Sequence, residues 1–267
     1  MSRSLSVFGR IPASSRLRPV FLAGLLVLSC EMPPQEVAGL ELPAPREGER
    51  IVEYQGYVCS YNTKTLIPDW VAYELTADET FGKATRDDKK FSMDFSFRGK
   101  QARREDYTGS GWTKGHMAPA ADFMWDDDAM AETFYFMNIC PQREELNNKD
   151  WQYLEKQVRK WAEDYDRVWV VSGPIVGENR YGTIGEDHVV VPDAFYKAVL
   201  IHDGVRYHSI GFVMGNDAER YYLADCACSI DNLEALTGFD FFPALSDDVE
   251  DQVEARCDFS PWGIRRR

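Results

Sequence analysis

The chain has 267 residues, of which 44% are hydrophobic and 13% aromatic, and its formal net charge is −14. This composition provides enough apolar surface for a packed core and excludes a largely disordered chain. The length suits one large domain with extensions. An acidic chain gains no help from its overall field in approaching a polyanion, so a function on nucleic acid would require a local basic cleft.

Residues 1–30 contain four arginines and no acid, and an apolar run from Val20 to Leu28 precedes Ser29. A basic segment, a short apolar segment and a small residue in this order are typical of a signal peptide. The apolar run is too short to span a bilayer as a mature helix. We therefore predict an exported protein that is secreted, periplasmic or lipid-anchored at the cell envelope.

Cys30 directly follows Val27-Leu28-Ser29, a sequence that resembles a bacterial lipobox. Lipid attachment at Cys30 and plain cleavage both stay open. Removing residues 1–30 takes away four positive charges, which changes the net charge from −14 to −18.

Residues 31–50 are rich in proline and acid without periodicity, which predicts a flexible linker. The main domain is expected over residues 51–262. It opens with two β-branched and aromatic runs, Val58–Tyr61 and Trp70–Leu75, on either side of the turn-prone Asn62-Thr63-Lys64. This pattern predicts a β-hairpin.

The next strand candidate is 134–139 (Phe-Tyr-Phe-Met-Asn-Ile). Trp151, Leu154, Val158 and Trp161 then recur at helical spacing, which places them on one face of a helix with Asn147 in its first turn.

Further strands are predicted at 167–171, stopped by Ser172-Gly173-Pro174, and at 194–201 and 207–213, paired around Asp203-Gly204. A short helix is expected from Ser229 to Leu236, capped by Ser229 and ended by Gly238, with Ile230, Leu233 and Leu236 on one face. Strands and helices without βαβ alternation indicate an α+β fold.

The sequence has six cysteines, and an exported protein can form disulfides. If Cys30 is lipidated or removed, five remain and at least one must be a free thiol. Cys226-Ala227-Cys228 lacks the spacer of a zinc or redox pair. We expect structural cysteines, and the sequence does not assign their pairing.

The chain has four histidines. The positions of His202 beside a turn and His208 in an alternating strand favour structural or surface roles, and His188 lies in a polar loop. His116 follows Lys114-Gly115 and precedes small residues, which allow a ligand to approach the backbone closely. Taken alone, a single histidine is more often structural than catalytic.

A series of motifs follows one order along the chain. Thr113-Lys114-Gly115-His116 within 107–122 is followed by 138–142 (Asn-Ile-Cys-Pro-Gln) and then by Asn147 with Trp151, Leu154 and Glu155. Flanking motifs lie at 69–73, 191–197 and 236–243. Over roughly residues 53–245 the chain resembles the DNA/RNA non-specific endonuclease family of ββα-metal, or His-Me finger, nucleases. The resemblance implies a mixed or antiparallel central sheet flanked by helices, with a ββα-metal active-site unit.

The resemblance also implies roles for particular residues. His116 matches the general base that activates water, and a neutral imidazole can accept a proton at neutral pH. Asn147 matches the protein ligand to Mg²⁺, which keeps most of its water, and Mn²⁺ is a possible substitute. Glu155 resembles the acid that hydrogen-bonds a water of the metal, and Asn138 an asparagine that supports the site.

Arg86 aligns loosely with an arginine that stabilises charge on the phosphate, with Arg103 or Arg104 as alternatives. The family's Asp-Arg before Gly-His is Thr113-Lys114 here. Lysine keeps the charge but loses the planar two-pronged contact to phosphate. The expected partner is DNA and/or RNA, and no stable protein partner is predicted.

Three features of the sequence suggest other functions. One is a catalytically degenerate exported protein that binds nucleic acid or protein. Another is a serine hydrolase, but Gly109-Ser110-Gly111 lacks the spacing of a nucleophile elbow. A third is calcium binding at 126–128, three consecutive aspartates without the spacing or glycine of an EF-hand loop.

Overall fold

A computed structural model of the chain describes residues 37–265. The predicted signal peptide and the predicted lipid anchor at Cys30 lie outside these residues. None of the helices in the described part of the chain is both long enough and apolar enough to cross a bilayer.

Residues 37–265 form strands and helices in a mixed order along the chain. The strands are β1 (Ile51–Glu53), β2 (Val58–Asn62), β3 (Ile67–Thr76), β4 (Thr113–His116), β5 (Ile139–Gln142), β6 (Arg167–Ile175), β7 (Thr183–Ile184), β8 (Val189–Val190), β9 (Ala194–His202), β10 (Tyr207–Gly215) and β11 (Ala227–Cys228). The helices are α1 (Arg104–Tyr107), α2 (Asp127–Glu132), α3 (Gln152–Tyr165), α4 (Leu223–Cys226), α5 (Ile230–Thr237) and α6 (Asp247–Glu254).

The central sheet has seven strands in the order β1-β2-β3-β6-β9-β10-β11, and each neighbouring pair is antiparallel. Side chains alternate between its two faces: in β6, Val168 and Val170 enter one hydrophobic cluster, and Trp169 and Val171 enter the other. Because both faces are covered, the central strands read as almost continuous apolar runs rather than as alternating ones. The α+β fold is confirmed.

Helix α3 covers one face of the sheet, where Leu154, Val158 and Trp161 are buried. Helices α5 and α6 cover the opposite face, where Ile230 and Leu233 are buried. The spacing of these residues in the sequence predicted both α3 and α5, and both helices are confirmed. Ser229 caps α5 by accepting a hydrogen bond from the Asn232 amide, and Gly238 ends the helix with a positive φ of 71°.

A small hairpin stands apart from the central sheet. Strands β4 and β5 pair antiparallel, and the chain after β5 passes through a π-helical turn, Leu146–Trp151, directly into α3. Gly115 makes this hairpin possible, since a Cβ at this position would lie 2.1 Å from the Gln142 Oε1 atom. The hairpin and α3 together form the ββα unit that the family resemblance implies.

Both long hairpins of the central sheet are confirmed, β2–β3 and β9–β10. The predicted strand at 134–139 is wrong, because Phe136–Asn138 form a 3₁₀ turn and β5 begins only at Ile139. The buried side chain of Asn138 binds backbone groups in place of a strand neighbour, and the alternation of apolar residues does not reveal this.

The prediction that Ser172-Gly173-Pro174 stops β6 is also wrong, because β6 continues to Ile175. The pairing with β3 ends at Ser172, so Pro174 lies where β6 pairs only with β9. Proline is tolerated at such a one-sided position because no second neighbour requires its missing N–H group.

The segment expected to be a flexible linker makes contacts with the domain. Leu40 is buried in the cluster under α5, and the Ala44 amide donates to the Asp240 carbonyl. Glu49 accepts a hydrogen bond from the Trp70 indole. The packed region therefore begins before Ile51.

Among residues 37–265 the five cysteines are all free thiols, so the structure shows no disulfide pairing there. Cys59 and Cys140 are buried, and burial raises the pKa of both thiols well above the ordinary value. These two cysteines act as small apolar core residues.

Trp161 joins α3 to the sheet and to the C-terminal segment. Its indole stacks on Phe212, meets Trp262 edge-on and donates to the Trp262 carbonyl at 3.0 Å.

We expect Trp161→Ala to reduce the free energy of unfolding by about 3–5 kcal/mol, measured by urea denaturation. Leu236→Ala is the matched control: Leu236 is 53% exposed, so a change within about 0.5 kcal/mol is expected. Equal losses in the two variants would contradict this packing.

Candidate active site

His116 ends β4 and is buried at 8% exposure. Its ring contacts Phe134 edge-on, with 5.0 Å between ring centroids, and lies beside Phe91. The Nε2 atom is buried and has no hydrogen-bond partner among the described residues. Such a group costs free energy, and in a folded protein it calls for an explanation such as catalysis.

The environment of His116 opposes protonation. Burial, followed by the positive charge of Arg86, lowers the pKa of His116 from 6.5 to about 3. The imidazole is therefore neutral at physiological pH, and its unpartnered Nε2 can accept a proton when it is the unprotonated nitrogen.

Arg86 is exposed and lies over the Phe134 ring, with its Cζ atom 5.8 Å from the ring centroid. Its charge acts on His116 and on Glu155, so these three residues form one electrostatic group. Arg103 is instead paired with Asp187. Of the candidate arginines, Arg86 is therefore the one placed beside the histidine.

Lys114 precedes Gly115-His116 on β4. Its Nζ lies 5.5 Å from the Phe91 ring centroid and 5.2 Å from that of Tyr107, and burial, followed by the charge of Arg104, lowers its pKa. Phe91 also contacts His116, so Lys114 flanks the histidine across a shared ring.

Asn147 lies in the π-helical turn and is half-buried. Its Nδ2 donates to Thr113 Oγ1 at 2.9 Å, and that hydroxyl donates its proton to the Gln142 carbonyl at 2.8 Å. Because the only hydroxyl proton is used, Thr113 can only accept from Asn147, and this fixes which way the amide faces. The Oδ1 atom of Asn147 accepts no hydrogen bond from the described residues and remains available to a ligand.

Four charged side chains lie between α3 and the sheet. Arg159 contacts the buried Asp122, with 2.5 Å between Nη1 and Oδ1, and Tyr73 donates to the other Asp122 oxygen at 2.8 Å. Glu155 and Lys197 add a second pair of opposite charges. Burial raises the pKa of Glu155, and the Lys197 charge opposes that rise. The formal charges of the two carboxyl groups and the two cationic side chains sum to zero.

Lys197 is fully buried in the middle of β9. Its Nζ donates to the Met117 carbonyl at 3.4 Å and lies 4.9 Å from the Trp151 ring centroid. Met117 directly follows His116, and the Trp151 indole donates to the His116 carbonyl at 3.3 Å. Lys197 and Trp151 therefore hydrogen-bond to the backbone carbonyls of Met117 and His116 and fix the backbone there.

Asn138 is buried, and its amide is fully used. It accepts from the Ala118 amide at 2.8 Å and donates to the carbonyls of Ala118 and Thr133. These bonds fix the loop that follows His116 to the turn before β5, and they leave Asn138 no donor for a substrate.

Sequence reasoning assigned no role to Asp122, Arg159 or Lys197, although two of them left a signal. Lys197 is a charged residue inside an apolar strand, and Arg159 follows Glu155 by one helical turn. Asp122 could be identified only once the fold placed it against Arg159.

The residues behind the rival interpretations have structural roles. Ser110 lies in a turn, where its hydroxyl donates to the Tyr107 carbonyl and accepts from the Trp112 amide. Asp126 caps α2 by accepting from the amides of Asp128 and Ala129, which explains the run of aspartates. His208 lies 2.7 Å from an Asp203 oxygen, as expected for a structural or surface residue.

Comparisons with known proteins agree with this geometry. The profile of the DNA/RNA non-specific endonuclease family matches residues 40–248. Mouse "Nuclease EXOG, mitochondrial" is 36% identical over 217 residues, which are 75% of this chain and 59% of that protein. "Nuclease C1" of Cunninghamella echinulata var. echinulata is 31% identical over 230 residues, 79% of this chain and 90% of that protein.

A solved structure described as the EndoG/EndoGI complex superposes with a TM-score of 0.70 at 27% identity, covering 74% of this chain and 88% of that one. The chain spans 59–63% of the length of the four EXOG relatives. By the matched residues and the shared fold, the chain belongs to the DNA/RNA non-specific endonuclease family.

Proposed function

We propose that the chain is a metal-dependent nuclease that hydrolyses phosphodiester bonds of DNA and/or RNA with little sequence preference. The observation that carries this proposal is the buried His116, whose Nε2 has no partner, beside Arg86 on a ββα unit. Family membership supports the same reaction class.

His116 would act as the general base that takes a proton from water. The surrounding phenyl rings keep it neutral, and Lys197 and Trp151 fix the backbone that carries it. Arg86 and Lys114 would hold the phosphate and oppose its developing negative charge. Glu155 would hydrogen-bond a water of the cation through its carboxylate.

The donor chemistry around Asn147 fits a hard divalent cation. Asn147 offers an amide oxygen without a hydrogen-bond partner among the described residues, while its Nδ2 donates to Thr113. Mg²⁺ is often held by few protein oxygens and keeps several waters, so Asn147 would be its protein ligand, with Mn²⁺ as a possible substitute. A bound ion supplies a Lewis acid for the phosphate oxygens.

A nuclease with a net charge of −14 needs local positive charge. Arg86, Arg104 and Lys114 lie close enough to influence one another or His116. Arg143 adds a guanidinium 4.2 Å from the Trp112 ring centroid, next in sequence to Thr113. We infer that these cations supply the local positive charge that the acidic composition requires.

The second candidate function is a binding protein without turnover. The observation that favours it is Thr113-Lys114 in place of the family's Asp-Arg. Against it, the Thr113 hydroxyl accepts a hydrogen bond from Asn147 and so orients the proposed metal ligand.

The first test is direct. Residues 31–267 are incubated with plasmid and with RNA, in Mg²⁺ or in EDTA, beside His116→Ala. We expect degradation in Mg²⁺ only, and a loss of at least about 100-fold in His116→Ala because the general base is removed. Intact substrates across several metals and pH values, with binding retained, would favour the binding protein.

Titration of the His116 ring, followed by its NMR chemical shifts, is expected well below pH 6.5, because the pKa of His116 is lowered to about 3. An acid limb of kcat/KM near pH 7 would report Glu155, whose pKa is raised to about 7. Arg86→Gln should move the His116 titration towards pH 6.5 by removing one of the two causes of the lowered pKa. An unfolded chain binds this proton near pH 6.5, so His116 also makes stability rise with pH between about 3 and 6.5. A His116 titration at pH 6.5 or above in the unaltered chain would contradict the buried environment.

Thr113→Val keeps the side-chain shape but removes the acceptor for Asn147. We expect the Mg²⁺ concentration for half-maximal rate to rise about 10-fold, with kcat at saturating metal changed less. Thr113→Ser is the matched control, and its half-maximal Mg²⁺ concentration should stay near that of the unaltered chain. Asn147→Ala should lose more activity and be partly rescued by raised Mg²⁺; a variant with ordinary metal dependence would refute the role of Asn147.

We also propose that the protein is exported. Lipid attachment at Cys30 would anchor the mature chain, and plain cleavage would release it. The proposal rests on the basic and apolar segments of residues 1–30. Several relatives are named as mitochondrial, which makes the mitochondrion the alternative destination. Fractionation of the producing cell, with mass analysis of the mature N-terminus, separates export, lipid attachment and organelle import.

A further inference from the structure

Three carboxylates meet between α5 and α6. Ligand oxygens of Asp231, Glu234 and Glu254 all lie within 4.8 Å of one another. Asp231 and Glu234 are one helical turn apart on α5, and Glu254 is the last residue of α6. Both helices lie on the sheet face opposite α3, so this cluster is separate from the candidate active site.

Glu254 is the unusual member of the cluster. It is only 5% exposed, and its Oε1 atom is buried without a hydrogen-bond partner among the described residues. In residues 37–265 no ion pair is formed by Asp231, Glu234 or Glu254. One Glu234 oxygen accepts from the Phe241 amide, which leaves its other oxygen for a ligand.

The charged groups that act on Glu254 are carboxylates. Burial, followed by the carboxylates of Glu234, Glu250, Asp231 and Asp240, raises the pKa of Glu254 to about 9. Glu254 also ends a helix, where the backbone carbonyls favour a cation and disfavour an acid. An arrangement of this kind requires either a shared proton or a bound cation to be stable.

We propose that Asp231, Glu234 and Glu254 bind a divalent cation of the Ca²⁺ type, which ties α6 to α5. Carboxylate oxygens are the ligands that this ion prefers, at 2.3–2.6 Å, so two oxygens on opposite sides of it are separated by about 5 Å. Three oxygens that all lie within 4.8 Å of one another can share such an ion. Three protein carboxylates suit Ca²⁺ better than Mg²⁺, which is usually bound through one or two carboxylates and keeps several waters. The role of the ion is structural, and it does not depend on the proposed nuclease reaction.

Thermal unfolding of the full chain in EDTA and in millimolar CaCl₂, with MgCl₂ as the comparison ion, tests the site. We expect Ca²⁺ to raise Tm by about 2–4 °C, and Mg²⁺ by less. Glu254→Gln should abolish this rise and also be more stable than the unaltered chain in EDTA, since it removes the repulsion. Asp231→Asn with Glu234→Gln should likewise lose the response.

Two controls separate this site from other causes. Asp248→Asn removes an acid of α6 outside the cluster and should keep the full response. Asn147→Ala should also keep it, because the cation acts on the other face of the sheet. No Ca²⁺ response in the unaltered chain, an unchanged response in Glu254→Gln, or loss of the response in Asn147→Ala would each overturn the proposal, the first leaving a shared proton as the explanation.

Discussion

The candidate active site depends on a balanced group of buried charges between α3 and the central sheet. Asp122 with Arg159 and Glu155 with Lys197 are two opposite pairs, and Lys197 also holds the carbonyl that follows His116. Buried charges are costly unless each is compensated, and removing one member of a buried pair typically costs about 3–5 kcal/mol. Contacts of the same charged group therefore help to position the backbone at His116.

The surroundings of His116 show a conflict between stability and chemistry. Phenyl rings and the Arg86 charge keep the imidazole neutral, yet leave its Nε2 without a partner. A side chain that served only to fill the core would not leave a buried nitrogen without a hydrogen-bond partner. In the proposed reaction, a phosphate beside Arg86 would offset one of the two causes that lower the pKa of His116, so that His116 would be a stronger base when substrate is bound.

The family's Asp-Arg is replaced by Thr113-Lys114, and the structure separates the consequences of the two changes. Thr113 accepts from Asn147 and donates to the Gln142 carbonyl, so a hydroxyl fixes the amide without adding a buried negative charge. Lys114 keeps one positive charge against the rings of Phe91 and Tyr107. Thr113 thus fixes the orientation of the proposed metal ligand, whereas lysine cannot make the planar two-pronged contact of an arginine to phosphate.

The sequence by itself determined the two long hairpins, helix α3, helix α5 and the order of motifs from His116 to Glu155, because local periodicity and caps specify such elements. It did not determine where β5 begins, since Asn138 binds distant backbone groups and not a strand neighbour. Tertiary structure alone brought Asp122 to Arg159, Lys197 to Met117, and Glu254 to Asp231. Charges far apart in the sequence attract or repel one another strongly only when folding brings them together and removes the water between them.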